Sequence, residues 1–329
     1  MKYFYELTIS SSPHAHSPVT TQTIMRDVLI ALVPALLGSI YFFGFRALLV
    51  TLVSAAACVF FEWGFCKIRK LHCKTYDLSA VVTGVLLAFV CPVTIPYWTI
   101  ILGDFFAIVL VKMLFGGLGK NIVNPALAGR AFLFSWPVLM SNWVKVGFDN
   151  AAGLLSTADA VTAATPMSAM HQGALPEESI LDMFLGNIGG CIGETSALLL
   201  IIGFIYLLYR KVITTRIPLA YIGTVAILAF LFPQGNDRIA WMAAQVFGGG
   251  LMLGAIFMAT DYVTSPLTKL GQIVYGIGCG VITILIRYFG GYSEGVTYAI
   301  LCMNACAVLL DKIGRPVKFG APKKEAAKK

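Results

Sequence analysis

The sequence predicts an all-α membrane protein with about ten transmembrane helices in two inverted repeats of five. The chain of 329 residues is 58% hydrophobic and only 12% charged, about half the charge of a typical soluble domain. Its apolar residues form runs close to the roughly 17–25 residues that a spanning helix needs. Its basic residues fall mainly in alternate connections between these runs, as expected for a multi-pass protein.

The apolar runs define ten predicted membrane segments, which lie at 26–44, 46–66, 77–91, 97–116, 124–140, 187–209, 216–233, 240–259, 269–289 and 293–311. Little more than Arg46 separates the first two segments, so we expect a tight helical hairpin there. The third segment is short and ends at Cys91-Pro92. Proline-broken half-helices of this kind line cavities inside membrane proteins.

Each half of the chain contains one proline-interrupted stretch, at 83–92 and at 254–266. Because five segments are an odd number, the second half would enter the membrane inverted relative to the first. The predicted organisation, in chain order, is a polar N-terminal segment, a first repeat, a long loop, a second repeat and a basic tail, at 1–25, 26–140, 141–186, 187–311 and 312–329.

The basic residues orient these segments. They lie after the second, fourth, sixth and tenth segments, at Lys67, Arg69, Lys70, Lys74, Lys120, Arg210, Lys211, Arg216 and seven positions of the tail. With ten crossings they share one side with the N-terminus, which the positive-inside rule makes cytoplasmic. A re-entrant third segment would break this alternation, so the charges favour a full crossing. The loop at 141–186, whose only lysine or arginine is Lys145, then faces outward.

The composition also excludes some classes. The net charge of +8 indicates nucleic-acid binding only where basic residues form a face, and here they follow membrane topology. Residues 1–22 lack the apolar core of a signal peptide. The eight cysteines form no CxxC pair, so the sequence predicts neither a zinc site nor an iron–sulfur cluster.

The outer loop contains the most informative motif, Asp159-Ala-Val-Thr162-Ala-Ala164-Thr165-Pro166. It fits the pattern Asp-x-x-Ser/Thr-x-Ala-Thr and resembles the acceptor that flavin transferases read when they join FMN phosphate to a threonine hydroxyl. Thr165 supplies the hydroxyl, small neighbours leave space, and Pro166 stiffens the chain after it. The alternative is a chance match in a loop rich in alanine and threonine.

A glycine-rich stretch at 115–126 presents Asn121 and Asn124, whose amides can bind a ligand or cap a helix. Ionisable residues in apolar segments are functional candidates by default, and they are Asp104, Arg130, Glu194, Asp261 and Arg287. A carboxylate such as Asp104 or Glu194 could bind Na⁺ or relay H⁺; an internal ion pair is the alternative. Glu62 and Lys112 lie nearer segment ends, where we expect their side chains to reach the interface.

These motifs resemble one family over nearly the whole chain, together with Ser12-Pro13-His14, Asp77–Ala80, Gly193–Ser196, Gly254–Pro266, Tyr275-Gly276 and Asn304 to Asp311. That family holds the D subunit of Rnf-type ion-translocating ferredoxin:NAD oxidoreductases and the B subunit of sodium-pumping NADH:quinone reductases. The absence of a long N-terminal extension favours the Rnf member.

The resemblance implies a redox subunit of a multisubunit translocating oxidoreductase, with a urea-transporter-like architecture, in the bacterial cytoplasmic (inner) membrane. It implies FMN esterified to Thr165 by a flavin transferase on the outer face. It also implies a second, non-covalent flavin, riboflavin, for which Asn121, Asn124 and Asp261 are the candidate contacts. No catalytic residue is assigned.

Partners follow from what the chain lacks. It contains no GxGxxG nucleotide motif and no iron–sulfur ligand set, so NAD and ferredoxin chemistry would belong to other membrane and peripheral subunits that bear flavins and iron–sulfur clusters. Two alternatives compete with the redox role, namely a solute or ion channel or transporter of inverted-repeat architecture, and a subunit that only anchors its redox partners. The sequence leaves open whether Na⁺ or H⁺ moves and which way electrons run.

Overall fold

The structure, a computed structural model, describes residues 19–70, 75–140, 142–143, 165–235 and 237–313. Across these ranges the chain is helical and contains no strand, which confirms the predicted all-α class for the described part. Three of the described helices are each long and apolar enough to cross a membrane, by length and composition. The positions up to residue 18, residues 141 and 144–164 of the predicted outer loop, and the tail from 314 lie outside these ranges.

The helices are α1 (Thr21–Phe43), α2 (Phe45–Ile68), α3 (Ser79–Phe89), α4 (Tyr97–Phe105), α5 (Pro125–Leu133), α6 (Pro137–Met140), α7 (Pro166–His171), α8 (Ile180–Leu185), α9 (Ala197–Tyr209), α10 (Arg216–Leu231), α11 (Arg238–Phe247), α12 (Leu251–Leu253), α13 (Lys269–Phe289) and α14 (Val296–Leu310). Two π-helical stretches continue α4 and α12, at Phe106–Met113 and Gly254–Met258. A 3₁₀ turn at Thr75–Asp77 precedes α3. The three long apolar helices are α1, α2 and α13.

The predicted hairpin between the first two segments is confirmed. The helices α1 and α2 meet at Gly44, whose φ of 78° is readily adopted by glycine. Arg46 is not a loop charge, because it lies inside α2 and is buried. Its Nε donates to the carbonyl oxygen of Val93 at 2.8 Å, and its Nη2 donates to that of Ile95 at 3.3 Å. Arg46 thus binds carbonyls of the connection that follows α3.

The third predicted segment contains only a short helix. The 11 residues of α3 extend about 16 Å, roughly half of the hydrocarbon core. Nearly all of its side chains are buried. The carbonyls at its C-terminal end accept hydrogen bonds from another part of the chain, since Gly193 N donates to Phe89 O at 2.9 Å and Ile192 N donates to Cys91 O at 3.0 Å.

This contact with the end of α3 explains why the predicted start of the sixth segment is wrong. The predicted segment at 187–209 becomes helical only from Ala197, after Ser196 caps α9 through a 3.4 Å bond from Leu199 N. The preceding residues are non-helical and use backbone amides to satisfy α3 instead. A methyl group on Gly193 would overlap the Phe89 ring, so glycine permits this close approach.

Two other predicted segments are interrupted. The segment at 124–140 divides into α5 and α6, because Pro137 has no amide to continue the α-helical bonding. The segment at 240–259 divides into α11 and α12, whose axes differ by 59°. Gly249, with a φ of 66°, lies in that break.

Candidate functional site

Thr165 is the N-cap residue of α7. Its Oγ1 accepts a hydrogen bond from Ser168 N at 3.3 Å, and Pro166 occupies the first helical position, where its missing amide costs nothing. The side chain is half-buried. The other residues of the predicted attachment motif, Asp159, Thr162 and Ala164, lie outside the described residues.

A cavity, here called the threonine cavity, lies beside Thr165. Segments distant in sequence form its walls, including Trp143, Glu194, Gly249 and Glu294. Met167, two residues after Thr165, also lines it and lies close to the break between α11 and α12. The predicted acceptor therefore lies at a junction of the predicted outer loop and the second half of the chain.

A buried cluster of three charges forms part of that junction. Arg130 Nη1 lies 3.0 Å from Glu194 Oε1, and Arg130 Nη2 lies 2.6 Å from Glu294 Oε2. Gly250 N donates to the second oxygen of Glu294 at 2.9 Å. The side chains of Arg130 and Glu194 are only 2% and 3% exposed. For Glu194 the structure therefore confirms the alternative of an internal ion pair.

A second buried guanidinium stabilises the break in the helix. Arg287, on α13, donates from Nη1 to the backbone oxygen of Gln245 at 2.6 Å and to its side-chain oxygen at 2.8 Å. Carbonyls at the end of a helix otherwise lack partners. His171, at the end of α7, makes a 2.9 Å hydrogen-bond contact with Arg287 O. The helix that Thr165 caps is thereby joined to α13.

The three residues predicted to contact a second flavin meet at another cavity, here called the asparagine cavity. Asn121, Asn124 and Asp261 all line it. Most of its lining residues are apolar, and they include side chains of α1, α3 and α9 and Phe257. Apolar walls with a few polar groups are typical of small-molecule and cofactor sites.

Asn124 has a structural role. It caps α5, with Oδ1 accepting from Ala126 N at 3.0 Å and from Leu127 N at 3.3 Å. Its Nδ2 donates to Met258 O at 3.2 Å. The capping alternative is therefore confirmed for Asn124, and the same amide connects α5 to the interrupted helix of the second half.

Asn121 differs from Asn124, because its buried Oδ1 has no hydrogen-bond partner among the residues that the structure describes. A buried polar atom without a partner is costly, and a ligand N–H in the cavity would satisfy it. Asp261 accepts from Thr264 Oγ1 at 3.0 Å and from Val263 N at 3.5 Å.

The expectation that Glu62 and Lys112 reach the interface is wrong. They form an ion pair inside the protein, with Nζ 3.1 Å from Oε2 and exposures of 2% for Lys112 and 7% for Glu62. Lys112 also donates to Ser79 Oγ at 2.6 Å. The π-helix that carries Lys112 packs against both α2 and α3, so the side chain has no route to the surface. The sequence feature that could have predicted this ion pair is the presence of opposite charges in two apolar segments.

Asp104 is fully buried on α4. Its Oδ1 accepts from Ser54 Oγ at 2.7 Å and from Cys58 Sγ at 3.2 Å. Its Oδ2 has no partner in the described ranges, and none of the salt bridges found there includes it. The two predicted ion-path candidates, Asp104 and Glu194, thus have different surroundings.

Glu294 is the residue of the charged cluster that sequence reasoning missed. It sits in the short connection between α13 and α14. The signal was indirect, because a buried arginine such as Arg130 requires an acidic partner, and the sequence did not say which. In the described part of the chain, no group of three or more histidine, cysteine or acidic residues has metal-binding geometry.

Comparison with known proteins extends this picture. The family model described as "NQR2, RnfD, RnfE family" matches residues 8–320. The D subunit of the Na⁺-translocating ferredoxin:NAD⁺ oxidoreductase complex of Acetobacterium woodii is 46% identical over 323 residues, covering 96% of each chain. The D subunit of the proton-translocating ferredoxin:NAD⁺ oxidoreductase complex of Clostridium ljungdahlii is 44% identical over 330 residues, covering 95% of this chain and 96% of that protein.

A less similar relative aligns over nearly the same share of the chain. The D subunit of the ion-translocating oxidoreductase complex of Actinobacillus succinogenes is 34% identical over 341 residues, covering 94% of this chain and 96% of that protein. These alignments and the family match each span nearly the full length. The chain belongs to the NQR2, RnfD, RnfE family.

Proposed function

We propose that this chain is the D-type membrane subunit of an ion-translocating ferredoxin:NAD⁺ oxidoreductase complex, that it carries FMN on Thr165, and that it passes electrons between flavins. The observation that supports the covalent site best is the position of Thr165. Its hydroxyl caps α7, is half-buried, and borders a cavity. A channel or transporter has no need of such an acceptor sequence.

The residues fit an ester at this position. Thr165 Oγ would attack the flavin-side phosphorus of a flavin dinucleotide bound to a transferase. The Oγ–phosphorus bond forms, the phosphorus–oxygen bond to the nucleotide breaks, and the hydroxyl proton is released. The Oγ1 lone pairs accept only the 3.3 Å bond from Ser168 N among described residues. When bound, FMN would supply one- and two-electron redox chemistry that no side chain here can perform.

Thr165 belongs on the outer face in this proposal. The basic connections at Lys67–Lys70, Lys120 and Arg210–Arg216 occur at alternate positions between the helices. The positive-inside rule then places these connections and both termini in the cytoplasm of a bacterial cell. A flavin transferase acting outside the cytoplasmic membrane would modify the loop after its export.

We propose ten crossings in two inverted repeats, with α1 to α5 in the first and α9 to α14 in the second. The short α3 and the bent pair α11–α12 each occupy the third position of their half. Interrupted segments at corresponding positions support an inverted repeat with a site between its halves. Both interrupted segments contribute to the asparagine cavity. In the first half, α3 lines it with residues between Ser79 and Leu86, and in the second half Phe257, in the π-helical continuation of α12, lines it.

The asparagine cavity is our proposed site for the second flavin, riboflavin. Its mainly apolar walls with a few polar groups suit a small heteroaromatic ligand. The unpaired Oδ1 of Asn121 offers an acceptor, and Asp261 adds a carboxylate. Asn124 shapes the wall rather than offering free donors, because its hydrogen bonds go to protein atoms.

The transported ion is Na⁺ or H⁺, since the two relatives named for these ions are similar to this chain to nearly the same degree. Among the two ion-path candidates, we favour Asp104, whose Oδ2 lacks a partner in the described ranges. Glu194 has Arg130 as its partner. We propose that Glu194 instead responds to changes in the charge of the flavin on Thr165, because Glu194 and Thr165 both line the threonine cavity.

Fluorescence in a denaturing gel tests the covalent site. After co-expression with a flavin transferase, we expect the wild-type band to fluoresce and the Thr165→Ala band to be dark. Thr195→Ala is the matched control, since Thr195 also lines the threonine cavity but lies outside the motif. Fluorescence that survives Thr165→Ala places the ester elsewhere. A dark wild-type band favours the transporter alternative.

A further inference from the structure

A buried cation lines the asparagine cavity and has no part in the function proposed above. Lys112 lies in the π-helix after α4 and is 2% exposed, yet its side chain borders the cavity together with Ser79 and Asn121. A buried lysine is costly unless it is paired and hydrogen-bonded. Glu62 and Ser79 meet that requirement, and the position of Lys112 in the cavity wall also lets it contact a bound molecule.

The ammonium of Lys112 is held in one orientation. It lies 3.1 Å from Glu62 Oε2 and donates to Ser79 Oγ at 2.6 Å. An ammonium has three N–H donors, and these two bonds to described residues leave one for a further acceptor. Glu62 does not border the cavity, whereas Lys112 does. A molecule in the cavity would therefore meet the positive end of the pair first.

A complementary acceptor lines the same cavity. The Oδ1 of Asn121 is buried and unpartnered among described residues. The cavity thus offers a cationic N–H donor and a neutral carbonyl acceptor, while Val28, Leu86 and Phe257 add apolar surface. This set matches a flat heteroaromatic ring with an imide edge, in which carbonyl oxygens flank an N–H. Flavins have such an edge.

We infer that Lys112 is a positioning residue for the ligand of the asparagine cavity, donating to a ring carbonyl of an imide-bearing heteroaromatic such as a flavin, with Asn121 accepting from the neighbouring N–H. This inference rests on the proposed second flavin. A fixed positive charge in a dry site stabilises the more electron-rich, reduced form of its ligand. Lys112 therefore raises the reduction potential of the non-covalent flavin.

The test compares purified complexes that contain wild-type or variant chain. Lys112→Met alone leaves Glu62 buried without its cation, so the double variant Lys112→Met/Glu62→Gln is made as well to remove both charges. Lys67→Met is the matched control, because Lys67 is exposed and does not border the cavity. Two quantities are measured: acid-extractable riboflavin per covalent FMN, and the reduction potential of the extractable flavin by spectroelectrochemistry.

Loss of a charged hydrogen bond changes an equilibrium by about tenfold or more. We expect the double variant to bind riboflavin about tenfold more weakly, or to retain it with a potential lowered by about 30 mV for a two-electron couple. Lys67→Met should match wild type. A folded double variant with wild-type riboflavin content and potential overturns the role of Lys112. A wild-type complex without extractable flavin overturns the second flavin itself, and the inference falls with it.

Discussion

Arg130 Nη1 and Glu194 Oε1 lie 3.0 Å apart in the interior of the protein, and this ion pair joins α5 to the segment that precedes α9. The same guanidinium binds Glu294, from the connection between α13 and α14. One side chain thus connects three distant parts of the sequence. Thr165 lines the same cavity as both carboxylates.

Removing this guanidinium will strongly destabilise the protein. We expect Arg130→Met to cost about 3–5 kcal/mol, because it leaves buried carboxylates without their cation. The measurement is the thermal midpoint of the detergent-solubilised protein. Arg238→Met is the matched control, since Arg238 is exposed at the start of α11, and it should shift the midpoint far less. Equal shifts in the two variants would contradict the cluster's role.

The close contact between α3 and the segment before α9 gives a second prediction. Gly193→Ala should destabilise the protein by about 1–3 kcal/mol, because the added methyl group would overlap the Phe89 ring. Gly223→Ala should stabilise α10 by up to about 1 kcal/mol, since glycine is a poor helix former and no atom lies within 4 Å of the new group. Thermal midpoints that move in the same direction would argue against this packing.

Much of the fold could be predicted from the sequence, for a physical reason. The bilayer imposes a length on each apolar run, so α1, α2 and α13 appear close to their predicted positions. The interruptions were harder to place. Pro137 ends a helix by local chemistry, but the non-helical stretch before Ala197 depends on a contact with Phe89 O that no local pattern encodes.

The two asparagines illustrate the same limit at the candidate site. Both occur in one glycine-rich stretch, and the sequence allowed ligand binding or capping for each. The structure separates them, because Asn124 caps α5 and Asn121 leaves Oδ1 without a described partner. Glu62 and Lys112 were misjudged because burial depends on which helices pack together, and the apolar periodicity of a membrane segment says little about that.

Substitutions at these asparagines should have separable effects. Asn124→Ala should destabilise the protein by about 1–2 kcal/mol through loss of the cap, seen as a lower thermal midpoint with or without flavin. Asn121→Ala should leave the flavin-free protein nearly as stable as wild type, and should lower the extractable riboflavin per covalent FMN. If Asn121→Ala instead behaves like Asn124→Ala in the flavin-free protein, its Oδ1 has a structural role that contradicts our assignment.

Asp104 should matter for ion movement. Asn at this position keeps an oxygen that can accept from Ser54 and Cys58 but removes the negative charge. We expect Asp104→Asn to keep the covalent flavin and the fold, and to reduce ion uptake driven by electron transfer in proteoliposomes. Glu177→Gln is the control, because Glu177 is exposed. Undiminished uptake by Asp104→Asn would remove Asp104 from the ion path.

Identification of the modified residue is the decisive measurement for the covalent flavin. Protein co-expressed with a flavin transferase is digested, and its peptides are sequenced by mass spectrometry. We predict one FMN, less one water, on Thr165. Thr165→Asn keeps an N-cap for α7 but has no hydroxyl, so a folded, unmodified variant separates esterification from helix capping. FMN attached to a different residue, or an unmodified Thr165 in the wild-type protein, would contradict the proposed function.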